Sequence, residues 1–173
     1  MAISILRNIW VYSGRMVSRK RQMSASQGVL IPFSPLRFPT SSDGTLTRVI
    51  TDDTAMLGFL AGSVVNATTW PITTEYSVND EVIVAIPDAK TIFGLSLENA
   101  TNDQVTAQAQ VGDVVGITVQ SSGSIGYVTG DVAETSNTMF TIVDILPNAE
   151  PEIYTNTDTV GIALVKITGT LQG

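Results

Sequence analysis

The sequence contains no cysteine and no histidine, and only 14% of its 173 residues are charged. Without cysteine, neither a disulfide nor a thiolate zinc site can form. Without histidine, the commonest general base and the commonest metal ligand are both missing. A serine nucleophile would need a lysine or a carboxylate as its base instead. Beyond residue 22 the lysines are Lys90 and Lys166, and neither stands in a Ser-Lys motif. No phosphate-binding loop occurs. Gly123-Ser124-Ile125-Gly126 lacks the lysine that would follow and reads as a hairpin. Aromatic residues make up 6%, too few for the clustered platforms that bind sugars, and Trp10 and Trp70 stand singly. No apolar run approaches the ~20 residues of a membrane-spanning helix. The start of the chain does not read as a secretory signal, because its basic cluster follows the apolar stretch. The expectation is therefore a protein that is not an enzyme, with no cofactor and no metal.

Acidic side chains are plentiful, so a carboxylate site needs separate treatment. Asp52/Asp53 and Asp80/Glu81 are adjacent in sequence. Adjacent side chains on a strand point to opposite faces, so adjacency does not make a catalytic dyad. These acids read as solvated turn residues. Asn79-Asp80-Glu81 and Asn102-Asp103 offer oxygen ligands for calcium, but without the spacing of an EF-hand. Asn66 and Asn99 match the glycosylation tripeptide, which matters only on a eukaryotic secretory path.

What the sequence does have is branched β-carbons. Threonine, valine and isoleucine number 22, 19 and 16, or 57 of 173 residues. These side chains are stiff at χ1 and pack well on a pleated surface. The expected fold class is all-β, a single β-sandwich or barrel domain with an extended N-terminal arm. A charge share below the usual ~25% leaves few groups to keep the surface wet. Either other subunits or a partner cover part of that surface, or serine, threonine, asparagine and glutamine wet it.

The net charge of −7 is unevenly placed. Residues 1–22 carry Arg7, Arg15, Arg19, Lys20 and Arg21 with no acid, so +5. The remainder carries 4 bases and 16 acids, so −12. An acidic body with a basic segment suggests two different partners, or one partner of mixed charge. The acidic body repels nucleic acid, and neither nucleic acid nor membrane is an expected partner.

Three zones follow. Residues 1–22 are mixed apolar and basic. Ile5, Ile9, Trp10 and Val17 can share one side of a helix, with Arg15 and Arg19 at i,i+4. The alternative is an unstructured extension, since Met23 opens a second N-terminus. Arg15, Arg19, Lys20 and Arg21 are the candidate contacts of this segment. Residues 23–44 form a proline-rich arm in which Pro32, Pro35 and Pro39 alternate with Phe33, Leu36 and Phe38. Proline at this density prevents a helix and presets an extended path. The arm either lies along a partner, with the two phenylalanines as anchors, or packs on its own domain. Residues 45–173 form the β-rich body. β-like runs appear at 45–50, 78–86, 91–97, 114–119, 125–129, 138–146 and 159–168. The run at 138–145 is apolar on both faces, as for a strand deep in a sandwich or barrel. Residues 51–67 and 98–110 are open between short helix and loop, and Gly58 and Gly62 weaken a helix in the first of these.

Within the body, Val111-Gly112-Asp113-Val114-Val115-Gly116-Ile117 and Asp158-Thr159-Val160-Gly161-Ile162-Ala163-Leu164 are Gly-Asp-punctuated strands. Together with the proline-rich arm and the charge-poor composition, they resemble the capsid decoration (cement) proteins of tailed bacteriophages. The resemblance covers about residues 24–173, and residues 1–22 do not map onto it. It implies a β-barrel or sandwich that forms a homo-oligomer, with a trimer favoured. It also implies a place on the capsid surface of the virion, where the protein binds the major capsid protein and clamps neighbouring subunits. The arm residues Pro32, Phe33, Pro35, Leu36, Phe38 and Pro39 would then lie across those subunits, so deleting residues 24–44 should abolish attachment and leave the body folded. A tail, fibre or adaptor module of the virion with a glycan- or protein-binding role is the alternative. A third class, a carboxylate enzyme, would need two facing acids about 5 to 10 Å apart.

Overall fold

The computed structural model describes residues 9–24, 27–30, 33–39, 44–63, 75–99, 102–103, 110–122, 125–145 and 162–172. The described residues are all-β: sixteen strands and no α-helix. Each β-like run of the body contains a strand among its described residues. The run at 78–86 is β9 (Glu81–Pro87), and 91–97 is β10 (Ile92–Asn99). The runs at 114–119 and 125–129 are β12 (Val114–Ser122) and β13 (Ile125–Asp131). Those at 138–146 and 159–168 are β14 (Phe140–Ile145) and β15 (Ile162–Ile167).

Five of these strands close into a barrel in the order β10-β15-β14-β12-β13. The first four contacts are antiparallel. The ring shuts where β13 runs parallel to β10, with Leu97 opposite Gly130 and Glu98 opposite Asp131. Gly130 leaves room for side chains at that seam: a Cβ there would lie 2.9 Å from Leu95 Cδ2 and 3.0 Å from Leu97 Cδ2, so those leucines would have to shift. The interior holds Phe93, Leu95, Leu97, Val115, Ile117, Val128, Phe140, Ile142, Ala163 and Val165. β1 (Trp10–Ser13) adds to the outer side of β10.

A second sheet runs β2-β9-β7-β4-β5, using β2 (Met16–Gln22), β7 (Gly58–Ser63), β4 (Pro35–Arg37) and β5 (Thr47–Arg48). It curls until its two ends meet at one point. Met23 and Leu46 form an isolated parallel bridge, with Leu46 N–H donating to Gln22 O at 2.7 Å and Ser24 N–H to Leu46 O at 2.8 Å. Inside lie Met23, Leu30, Leu36, Leu46, Leu57, Leu60, Tyr76, Val82 and Val84. Burial of such side chains is worth about 1.5–3 kcal/mol each before entropy is counted.

The second sheet contributes a side chain to the barrel core. Phe59 on β7 is fully buried, and its ring lies 4.9 Å from that of Phe93 on β10. The C-terminal strand β16 (Thr170–Leu171) pairs parallel with β6 (Ala55–Met56), fastening the end of the chain between the two sheets.

Two local expectations are corrected. The helix considered for residues 1–22 is not formed by residues 10–22, which make β1 and β2. The open stretch 51–67 contains β6 and β7 as far as it is described. The glycine that weakens a helix there is required by the sheet. A Cβ on Gly58 would sit 2.4 Å from the Ala85 carbonyl oxygen.

The Thr129 side chain is 1% exposed in β13, and its hydroxyl has no hydrogen-bond partner. Burying an unpaired hydroxyl costs about 1–3 kcal/mol. Thr129→Val, which keeps the branched shape, is expected to stabilise the fold by about 1 kcal/mol. A thermal melt should show the midpoint rising by roughly 2–4 °C.

Candidate docking surface

β2 differs from every other long strand. Met16 and Arg21 are half-buried, and Val17, Ser18, Arg19, Lys20 and Gln22 are exposed. Side chains on both of its faces therefore meet solvent, and even Val17 is 50% exposed. Its antiparallel neighbour β9 buries Val82, Val84, Ala85 and Pro87. β2 is the first strand in the order of its sheet, and among the described residues its far edge meets the rest of the curl only at the Met23–Leu46 bridge.

The direction of its backbone groups follows from hydrogen bonds at its two ends. Residues of an antiparallel strand alternate between pointing their N–H and C=O at the partner strand and pointing them away. Met23 N–H donates to Asp80 O at 3.0 Å, and Met23 O accepts from Asn79 N–H at 2.8 Å. Arg15 O accepts from Asp88 N–H at 3.1 Å. Residues 15 and 23 thus face β9 and its flanking turns. Counting by twos, so do Val17, Arg19 and Arg21. Met16, Ser18, Lys20 and Gln22 turn their backbone groups outward, and Gln22 O is the acceptor for Leu46 N–H.

Two of the outward carbonyls are capped by arginine side chains. Arg19 donates from Nη1 to Ser18 O at 3.1 Å, and Arg21 donates from Nη1 to Lys20 O at 2.9 Å. Neither arginine, nor Arg15 or Lys20, has an ion pair with an acid among the described residues. The ion pair that is present there lies elsewhere, between Arg37 Nε and Asp53 at 2.7 Å. Three of the four basic residues singled out in the sequence therefore occupy one edge, with Arg19 and Arg21 on one face and Lys20 on the other. Arg15 precedes the strand, and its carbonyl also accepts the Thr91 hydroxyl at 3.0 Å.

The arm residues fare differently. Pro35 is buried, and Leu36 is 0% exposed inside the second core. Phe33 (φ 64°) packs against the first core, and its N–H donates to Leu60 O at 2.9 Å. Phe38 is half-buried against the second core, and its N–H donates to Gln172 Oε1 at 2.7 Å. Pro39 is half-buried, and Pro32 lies outside the described residues. Pro35 is thus buried and Leu36 lies in this chain's own second core, in keeping with the alternative that the arm packs on its own domain, while Phe33 and Phe38 stay partly exposed. Proline is tolerated at the first residue of a strand, where Pro35 stands.

The acids serve turns. Asp53 accepts from Ile50 N–H at 2.8 Å, and Asp80 accepts from Ser77 N–H at 2.7 Å. The Thr91 hydroxyl and Lys90 N–H hold the Asp88 carboxyl below its ordinary pKa. Glu134 is likewise lowered by the N–H groups of Asn137 and Ser136. Among the described residues there is no group of three acids placed to hold a metal ion. A shallow depression of about 250 Å³, open solvent included, is lined by Leu30, Ser34, Pro35, Arg48, Val49, Val119 and Val128. Ligand sites usually present several convergent polar groups. Here Arg48 is the one ionisable side chain in the lining.

The Gly-Asp-punctuated segment 111–117 forms a tight entry into β12. Gly112 has φ 99°, and its N–H donates to Ile142 O at 2.9 Å. The second such segment enters β15, with residues 158–161 outside the described set. Comparison with protein-family models, curated proteins and solved structures returned no match to the chain.

Proposed function

We propose that this chain is a structural virion protein that docks on the outer surface of a capsid and holds neighbouring capsid subunits together. The observation that carries this reading is β2: a seven-residue basic edge without acid partners among the described residues, on a body of charge −12. Separation of charge of this kind orients a protein on an acidic surface. The described carboxylates that accept hydrogen bonds are occupied in turns, which favours attachment over proton transfer. The class of assembly comes from the resemblance of residues 24–173 to capsid decoration proteins.

Docking one edge per chain is weak on its own. In a homo-oligomer, a trimer being the form proposed, several such edges bind at high effective concentration, and modest contacts multiply. A rigid all-β body then resists the outward push of packaged DNA at subunit boundaries. Electron microscopy of the purified protein mixed with empty shells of its virus tests this reading. The expected result is added density on the outer surface where subunits meet. Bare shells at saturating protein would refute it.

A further inference from the structure

We infer that the outer edge of β2 accepts an acidic, extended segment of a partner protein as an added β-strand. The inference rests on the docking reading above and names its chemistry. Met16, Ser18 and Lys20 point their N–H and C=O groups away from β9, and no strand among the described residues pairs with them. A row of this kind is satisfied in register only by another strand backbone. Arg19 and Arg21 hold the edge closed by folding onto Ser18 O and Lys20 O. These caps are reversible. An incoming backbone N–H takes over each carbonyl, and each released guanidinium is then free for a carboxylate on the incoming strand. Guanidinium–carboxylate pairs are stronger than the neutral-acceptor contacts they replace.

Charge selects the occupant. A second copy of β2 laid alongside would set Arg19, Lys20 and Arg21 against their own counterparts, and like charges across strands are unfavourable. Nucleic acid would meet the positive edge but has no backbone N–H to give Ser18 O and Lys20 O, and the rest of the chain repels it. An acidic strand satisfies both the hydrogen bonds and the charges.

The test uses the full chain, labelled for NMR, and four probes. These are a nine-residue peptide of alternating valine and glutamate, the same peptide with lysine for glutamate, the glutamate peptide N-methylated at alternate amides, and a short single-stranded oligonucleotide. The glutamate peptide is expected to bind and to slow exchange of the Met16, Ser18 and Lys20 amide protons. N-methylation should weaken it by roughly tenfold or more, because backbone donors are lost. The lysine peptide should not bind. Ser18→Pro removes an outward N–H that the fold does not use, so it should keep the thermal midpoint and lose the peptide. Arg19→Glu with Arg21→Glu should lose it as well.

The inference is overturned if the glutamate peptide fails to bind, if N-methylation or Ser18→Pro leaves its affinity unchanged, or if the oligonucleotide binds more tightly. The two readings separate cleanly. Peptide binding without shell attachment sinks the capsid reading alone. Shell attachment that survives Ser18→Pro sinks strand addition alone.

Discussion

Deleting residues 24–44 is expected to destroy the second sheet and not to yield a folded body. The deletion removes β4, which stands between β7 and β5, and with it Leu36 and the strand-to-strand contacts at Phe59 and Gly58. It also removes Leu30 from the core. The remaining Leu57, Leu60, Val82 and Val84, all 1% exposed or less in the intact chain, would face water. Leucine losses in a core amount to about 2–5 kcal/mol each, against a total stability of about 5–15 kcal/mol. Far-ultraviolet circular dichroism and a denaturant melt check this. The expected outcome is a loss of β signal and an aggregating product. A soluble truncated chain with a cooperative transition would return the arm to the role of a detachable partner contact.

Phe59→Ala is expected to destabilise the whole chain by about 3–5 kcal/mol. Phe59 belongs to β7 by backbone pairing, opposite Ala85 and Pro35, yet its ring lies among the residues of the barrel core. It stacks at 4.9 Å and 45° on Phe93, which in turn meets Phe140 edge-on at 6.4 Å. Aromatic pairs of this geometry add about 0.5–1.5 kcal/mol beyond their buried area. Because a strand of the second sheet lends this ring to the barrel core, the two sheets should melt in one transition in the native chain. In the variant the barrel should lose stability even though the substituted residue belongs to the other sheet. Urea titration followed by the near-ultraviolet signal measures both effects. A loss below about 1 kcal/mol would contradict the shared core.

Much of this architecture is legible in the sequence, and the reason is burial. Strands β9, β10, β12, β13, β14 and β15 stand in one of the two sheets between partners, so they read as β-branched runs ended by proline, glycine or asparagine. What is not legible has physical causes too. β2 buries no complete face, so it carries charge on both sides and shows no alternation. Arg15, just before it, and Arg19 stand at i,i+4 and imitate a helix instead. The prolines of the arm suggest an unpaired path, while Pro35 in fact opens a paired strand. Gly58 suggests a weak helix, yet it marks two backbones too close for a side chain. In β15, Ile162 and Leu164 share one face, and Ala163 and Val165 on the other fill the barrel.

The candidate docking edge is half-visible in the sequence. Arg15, Arg19, Lys20 and Arg21 stand out by charge alone, because 5 of the 9 basic residues fall in the first 22 positions. That three of them line an open sheet edge, with two capping their own carbonyls, follows from pairing with β9, which is more than 50 residues away in sequence. No local pattern encodes a partner that distant. Apolar residues between prolines look alike whether their destination is another protein or the chain's own interior.

The central claim is that the basic edge of β2 carries this protein onto its partner surface. Co-sedimentation of the chain with empty shells of its virus, comparing the native sequence with Arg19→Glu/Arg21→Glu at equal thermal stability, tests it most directly. Native protein in the pellet and the charge-reversed variant in the supernatant is the predicted result. Equal pelleting of both would contradict it.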